Sequence, residues 1–203
     1  FDHKLSLYNK GKVTFDDIVG EKLKDFQQTQ VACTLSNETH IDHAAIREFM
    51  QQLSYPLYFL DFETMQVVIP QYPGTRPYQQ ITFQYSLHYI EHEGGPLLHK
   101  EFLGVSGEDP RRALAEQLCK DIPKDVCVTA YNKSFECTRI KELAQAFPDL
   151  SDHLLNIRDH IVDLWDPFKA GHYYVPAMGG STSIKYVLPA LWPGEPSLDY
   201  HNL

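Results

Sequence analysis

The chain has 203 residues, 43% hydrophobic and 22% charged, and its 18 basic and 27 acidic residues leave a formal charge of −9. This usage excludes a disordered chain and suits one domain, or one domain with a small appendage, that can bury a sizeable core. The acidic balance argues against gripping nucleic acid by bulk charge, but it admits a nuclease whose carboxylates are neutralised by bound metal ions.

Residues 1–54 read as a helical lead segment. Asp42 is placed to cap a helix reaching about Leu53, because Ile46, Phe49, Met50 and Leu53 recur at i, i+3, i+4 and i+7. Tyr55-Pro56 breaks that pattern, and residues 55–203 read as the main domain. Tyr58 to Glu63 is short, aromatic and apolar, as in a central strand, and Pro70, Pro73, Gly74 and Pro77 mark a loop. From Ile81 the period becomes two, which predicts Ile81, Phe83, Tyr85, Leu87 and Tyr89 on one face. Gly94-Gly95-Pro96 is a turn, with Leu97 to Leu103 returning as the hairpin partner.

Asp109-Pro110 opens a helix whose buried stripe is Leu114, Leu118 and Ile122. Val126 to Ala130 is a further strand, followed by a helix capped by Ser134 and carrying Ile140, Leu143, Ala144 and Phe147. A helix from Ser151 to about His160 and an extended stretch at Ile161 to Leu164 come next. Gly179-Gly180-Ser181 leads into a last helix that Pro189 should stop. The order indicates a mixed α/β domain.

Cys33, Cys119, Cys127 and Cys137 form no C-x-x-C pair, so reduced thiols of a cytoplasmic protein are expected. No signal peptide is evident, and no apolar run approaches the roughly 20 residues that span a bilayer, so no membrane partner is expected. Asn37-Glu38-Thr39 fits a glycosylation acceptor by chance in that setting. The chain opens on Phe1 and has no evident terminator, so it is expected to be a fragment whose partner is the remainder of a longer chain.

Chemistry concentrates at two places. Asp61 and Glu63, two apart on a strand, point to one face, and their charges raise each other's pKa unless a cation lies between them. Carboxylate oxygens suit Mg²⁺ or Mn²⁺. The run Tyr131-Asn132-Lys133-Ser134-Phe135-Glu136 sits where a strand hands over to a helix, with Glu136 in the first helical turn.

Together these runs resemble the DEDD-type 3′-to-5′ exonucleases, which have a ribonuclease-H-like fold. Asp61-Phe62-Glu63-Thr64 is similar to their first motif and Tyr131-Asn132-x-x-Phe135-Glu136 to their second, in the form found in proofreading domains of family B polymerases. The chain also resembles a bacterial family of unknown function that carries the runs seen here at Tyr55 to Thr64 and Ser181 to Pro189. The resemblance implies a ribonuclease-H-like mixed sheet flanked by helices, two divalent cations, Mg²⁺ or Mn²⁺, and a single-stranded DNA or RNA end as partner. It implies that Asp61 bridges the ions, Glu63 holds the one that activates water, and Glu136 supports the other. Thr64 would contact the terminal nucleotide, while Asn132 and Phe135 would shape the turn.

Two departures stand out. Glu136 replaces the commoner aspartate. The third motif, Tyr-x-x-x-Asp or His-x-x-x-x-Asp, does not occur after Glu136, and Asp163 resembles the non-catalytic Asp of an intervening strand. Weak metal binding and poor cleavage are therefore expected of these residues alone. The alternative is a degenerate nuclease fold serving as a non-enzymatic binding or scaffolding module.

Other features carry less. His88-Tyr89-Ile90-Glu91-His92 matches H-x-x-E-H, but that chemistry needs a helix and this stretch alternates as a strand. No Glu-x-Lys follows Asp61, as a restriction-type core would need. His153 and His160 read as ordinary histidines, and Trp165, Tyr173 and Tyr174 as packing residues rather than base-stacking ones. Gly179 to Lys185 lacks Walker spacing, yet its turn, with Ser183 and Lys185, is a candidate backbone contact for a nucleic-acid strand; capping by Ser181 or Ser183 is the simpler role.

Overall fold

The computed structural model describes residues 2–199, and the chain divides into two units, Gln51–Leu164 and Phe1–Met50 with Trp165–Leu203. The boundary after Leu164 assigns the Gly179–Lys185 stretch to the unit of the N-terminal helices.

That unit opens with helix α1 (Asp2–Asn9), a 3-10 turn at Asp16–Ile18 and helix α2 (Asp25–Ser36). α2 ends at Asn37, whose φ of 56° is left-handed, as at many helix ends. A two-residue strand β1 (His40–Ile41) follows, so residues 1–54 are not helical throughout. Helix α3 (His43–Met50) is capped as expected, with Asp42 Oδ1 accepting the N–H groups of Ala44 and Ala45 at 3.1 and 3.0 Å. It stops short of Leu53, because the chain turns at Gln51 and straightens ahead of Pro56.

The unit from Gln51 to Leu164 is built on five strands. β2 (Leu57–Gln66), β3 (Gln80–Ile90) and β4 (Leu98–Leu103) form an antiparallel meander, including the expected hairpin. Helix α4 (Arg111–Asp121) crosses to β5 (Cys127–Ala130), which lies parallel to β2; helices α5 (Ser134–Ala146) and α6 (Ser151–Asp159) lead to β6 (Ile161–Asp163), parallel to β5. The sheet order is β4-β3-β2-β5-β6. Tyr58, Leu60 and Phe62 of β2 pack into one core with Leu114 and Leu118 of α4, Ile140 and Leu143 of α5, and Leu154 and Ile157 of α6. The helices therefore cover the face to which even-numbered β2 residues point. Truncating one of these buried leucines to Ala costs about 2–5 kcal/mol.

The register is interrupted once. Glu63 pairs with Gln84 but Thr64 pairs with Thr82, so Phe83 is an extra residue on β3, a β-bulge. Tyr85, Leu87 and Tyr89 share the helix-covered face, as the period-two pattern predicts. Ile81 does not: it pairs with Met65 and points to the opposite side, because the bulge inverts the alternation.

The chain then completes the first unit with α7 (Asp166–Lys169), β7 (Tyr173–Tyr174), which pairs antiparallel with β1, and α8 (Ile184–Leu191). Cys33, Tyr174, Met178 and Val187 form its core. Tyr174 is a packing residue whose hydroxyl accepts the Gly180 N–H at 3.1 Å, and Trp165 donates to Thr182 Oγ1 at 2.9 Å. Pro189 does not stop α8. Its ring is compatible with helical φ and removes one backbone donor, and the helix runs to Leu191, where the Trp192 N–H donates to the Leu188 carbonyl. All four cysteines are free, and burial pushes the Cys119 thiol up to about 11. Among the described residues no helix is long and apolar enough to cross a membrane.

Candidate functional site

Asp61 and Glu63 leave β2 on the face opposite the helices, where both are exposed. Asp61 stands across from Ser86 and Glu63 from Gln84. Surrounding protein, and then the Glu63 charge, push the Asp61 carboxyl above its ordinary pKa; a hydrogen bond from the Phe62 N–H opposes this. Thr64 comes after the bulge, half-buried beside Thr82, and does not share their face.

The turn that begins the second motif is held from the neighbouring strand. Asp163 of β6 accepts the N–H of Asn132 at 2.8 Å and that of Lys133 at 3.1 Å, and Lys133 Nζ donates to the Ile161 carbonyl at 2.8 Å. Asn132 adopts φ 64°, a left-handed conformation that Asn tolerates better than most residues. Ser134 does not cap α5. Its hydroxyl donates to Asn132 Oδ1 at 2.9 Å, because Ser134 is already helical and Asp163 takes the turn's N–H groups. Tyr131 is half-buried, and burial together with the Asp163 charge raises its hydroxyl pKa.

Glu136, in the first turn of α5, is only 4% exposed, and its Oε2 has no hydrogen-bond partner. Burial is the main reason its pKa is pushed up to about 7; the charges of Asp61 and Asp163 add to this, while its own backbone N–H opposes. Glu136 is thus coupled electrostatically to Asp61, and among the described residues it makes no ion pair. Arg139, one turn further on, is buried and committed elsewhere. It donates to Gln80 Oε1 at 2.6 Å and to Glu142 Oε1 at 3.2 Å, and lies 5.5 Å over the half-buried Phe135 ring.

These residues can be tested against a divalent cation. Carboxylate oxygens are hard donors, and the buried, unpartnered Glu136 Oε2, with two carboxyls pushed upward, describes a negative site lacking a counter-charge. Among the described residues no three His, Cys, Asp or Glu side chains are gathered to hold an ion as they stand. Each ion would therefore take one or two of these carboxylates and complete its shell with water and phosphate oxygens, the usual mode for Mg²⁺. The donor set fits on those terms.

Other sequence candidates belong to other elements. Ser183 precedes α8 in the other unit and makes no side-chain cap; its N–H donates to Ser181 Oγ at 3.2 Å, and Lys185 is exposed. His88 and His92 lie on and just after a strand, so the zinc-protease arrangement does not form. His153 and His160 each bond a backbone carbonyl, of Ile122 and Asn156. Two positioning contacts were missed from sequence: the Asp163 anchor and the Arg139–Gln80 bond. A V-D-L stretch hints at the first; nothing periodic hints at the second.

Residues 58–183 match a family described as Domain of unknown function (DUF2779), a stretch that begins on the strand of Asp61 and ends at Ser183. No curated protein and no solved structure matches the chain.

Proposed function

The chain belongs to the DUF2779 family, and we propose that its Gln51–Leu164 unit is the core of a metal-dependent 3′-to-5′ exonuclease acting on single-stranded nucleic-acid ends. One observation carries this reading. Glu136, distant in sequence from Asp61, feels its charge while holding a buried oxygen that no protein group satisfies. The meander β2 to β4, with β5 and β6 added in parallel through helices, supports the ribonuclease-H-like fold that the reading implies.

Asp61 and Glu63 would hold one Mg²⁺ or Mn²⁺ ion from the exposed sheet face, and Asp61 with Glu136 a second. Such a pair, when bound, stabilises the attacking and leaving oxygens of an in-line phosphoryl transfer. The residues' own work is positional. The Asp163 anchor fixes the turn ahead of Glu136, and the Arg139–Gln80 bond ties α5 to β3. Local metal charge, rather than a basic groove, would then hold a strand on a chain of net charge −9. The four free thiols fit a reducing, cytoplasmic setting.

The test is Mn²⁺ binding by electron paramagnetic resonance, together with stepwise shortening of 5′-labelled DNA and RNA oligonucleotides. Sub-millimolar Mn²⁺ binding that weakens at least tenfold in Asp61→Asn and Glu136→Gln, with weak shortening lost in the same variants, is expected. Equal binding or cleavage by Asp61→Asn overturns the assignment. The absence of a third motif from these 203 residues, and of a ready three-ligand cluster among the described residues, favours a second reading, a non-enzymatic module. It predicts no Mn²⁺ binding below the millimolar range.

A further inference from the structure

The sheet face that carries Asp61 bears a band of polar side chains across the meander, between the apolar Leu57 and Phe59 at one end and Met65 and Ile81 at the other. Asp61 pairs with Ser86 and Ser86 with Glu101; one step along, Phe59 pairs with His88 and His88 with His99. Directly opposed residues point the same way, so all of these side chains share one face. The His88 and His99 rings lie face to face, centroids 4.3 Å apart and planes 29° apart. His99 is exposed and His88 half-buried. One His99 nitrogen, Nε2, lies 3.1 Å from Ser86 Oγ. Among the described residues, neither nitrogen of His88 nor the remaining one of His99 has a hydrogen-bond partner in the protein.

On β2, β3 and β4 the charge on this face is of one sign. No Lys or Arg of β2, β3 or β4 points to this face; Lys100 projects to the other, where it meets Asp121 at 3.3 Å. Glu101 flanks His99 on β4, and Asp61 and Glu63 follow on β2. Two adjacent imidazoles and three carboxylates, with no Lys or Arg of these three strands beside them, make a face suited to a cation.

We infer that His88 and His99 form a cross-strand site for an imidazole-preferring divalent ion of the Zn²⁺ type. Neutral imidazole nitrogens suit Zn²⁺, whereas carboxylate and water suit Mg²⁺ and Mn²⁺, so the site differs in chemistry from the carboxylate centre. The two rings need only splay about their side-chain bonds to share an ion, His99 exchanging its Ser86 contact for the metal. The exposed Glu101 carboxylate swings in as third ligand and water takes the fourth position, completing a tetrahedral shell. The bound ion clips β3 to β4. The site stands independently of the exonuclease reading, since it uses neither Glu63 nor Glu136.

The experiment is titration of the chain with Zn²⁺ against a chromogenic chelator, alongside imidazole NMR resonances of its ten histidines. Micromolar binding of one ion is expected, with the His88 and His99 resonances shifting first and the melting temperature rising. His88→Ala and His99→Ala should each weaken binding at least tenfold, whereas Glu136→Gln should leave it within twofold. Millimolar Mg²⁺ should not compete. The inference is overturned by wild-type affinity in the double variant, by other histidines shifting first, or by no binding tighter than millimolar. The NMR result on the unaltered protein decides the matter even if a variant folds poorly.

Discussion

The Asp163 carboxylate accepts the Asn132 N–H at 2.8 Å, so a side chain on β6 sets the turn that delivers Glu136. It also accepts from Lys133 and is itself only 7% exposed. Hydrogen bonds to a charged group contribute about 1.5–3 kcal/mol each, and losing the acceptor leaves two donors unpaired. Asp163→Ala should therefore lower unfolding free energy by about 2–3 kcal/mol and Asp163→Asn, which keeps one acceptor, by less. Amide exchange at Asn132 and Lys133 should accelerate in both. Wild-type protection of those two amides in Asp163→Ala would refute the anchor.

Glu136 makes a pH prediction whose sign follows from its raised pKa. Unfolded, the group ionises near 4.5; folded, it keeps its proton to about 7. Between those values the native state binds more protons, so this group's contribution to stability falls as pH rises through the window and stays low above it. Relative to Glu136→Gln, the wild type should lose up to about 3 kcal/mol between pH 4 and pH 8. Urea unfolding at several pH values measures the difference; parallel pH profiles would contradict it. Under the metal reading, Mn²⁺ at pH 8 should raise the wild-type melting temperature and leave that of the variant nearly unchanged.

Arg139 is a buried cation shared among Gln80, Glu142 and the Phe135 ring. Arg139→Met removes the bond between α5 and β3 and should destabilise by about 1–3 kcal/mol. Because Gln80 loses the same partner, Gln80→Leu in the Arg139→Met background should cost less than in the wild type. Additive losses in that double-mutant cycle would show that the two side chains do not act together.

On the helix-covered side, Tyr85 donates to Asp121 Oδ2 at 2.6 Å, and Asp121 also accepts from Gln117 at 3.2 Å. Tyr85→Phe removes one of these donors from a carboxylate that is 7% exposed. A loss of about 1–2 kcal/mol is expected by urea unfolding. An unchanged midpoint would mean that Lys100 and water fully replace the hydroxyl.

Much of the architecture was legible because periodicity reports burial. The strand of Asp61, the hairpin and helices α4 to α6 follow from alternation, apolar stripes and turn residues. The β1–β7 pair was not legible, since two residues per strand carry no period. The capping role expected of Ser134 went instead to Asp163, 29 positions later in sequence, a partnership that no local pattern encodes. At the candidate site, Asp61, Glu63 and Glu136 were readable as motifs. His88 was read along the chain with His92, whereas its ring faces His99 across the turn.

Phe83 lets the side chains of β3 change sides partway along the strand. Because it is supernumerary on β3, the residues before it are out of phase with those after it, and Gln80 emerges on the side where Arg139 waits. Excising Phe83 would remove the carbonyl that accepts the Gly104 N–H at 2.8 Å but leave Gln80 opposite Gln66, whereas pairing Phe83 regularly with Thr64 would carry Gln80 to the other side of the sheet and away from Arg139. At that point the irregular pairing of the backbone, more than the identity of the bulged side chain, decides which side of the sheet Gln80 offers to α5.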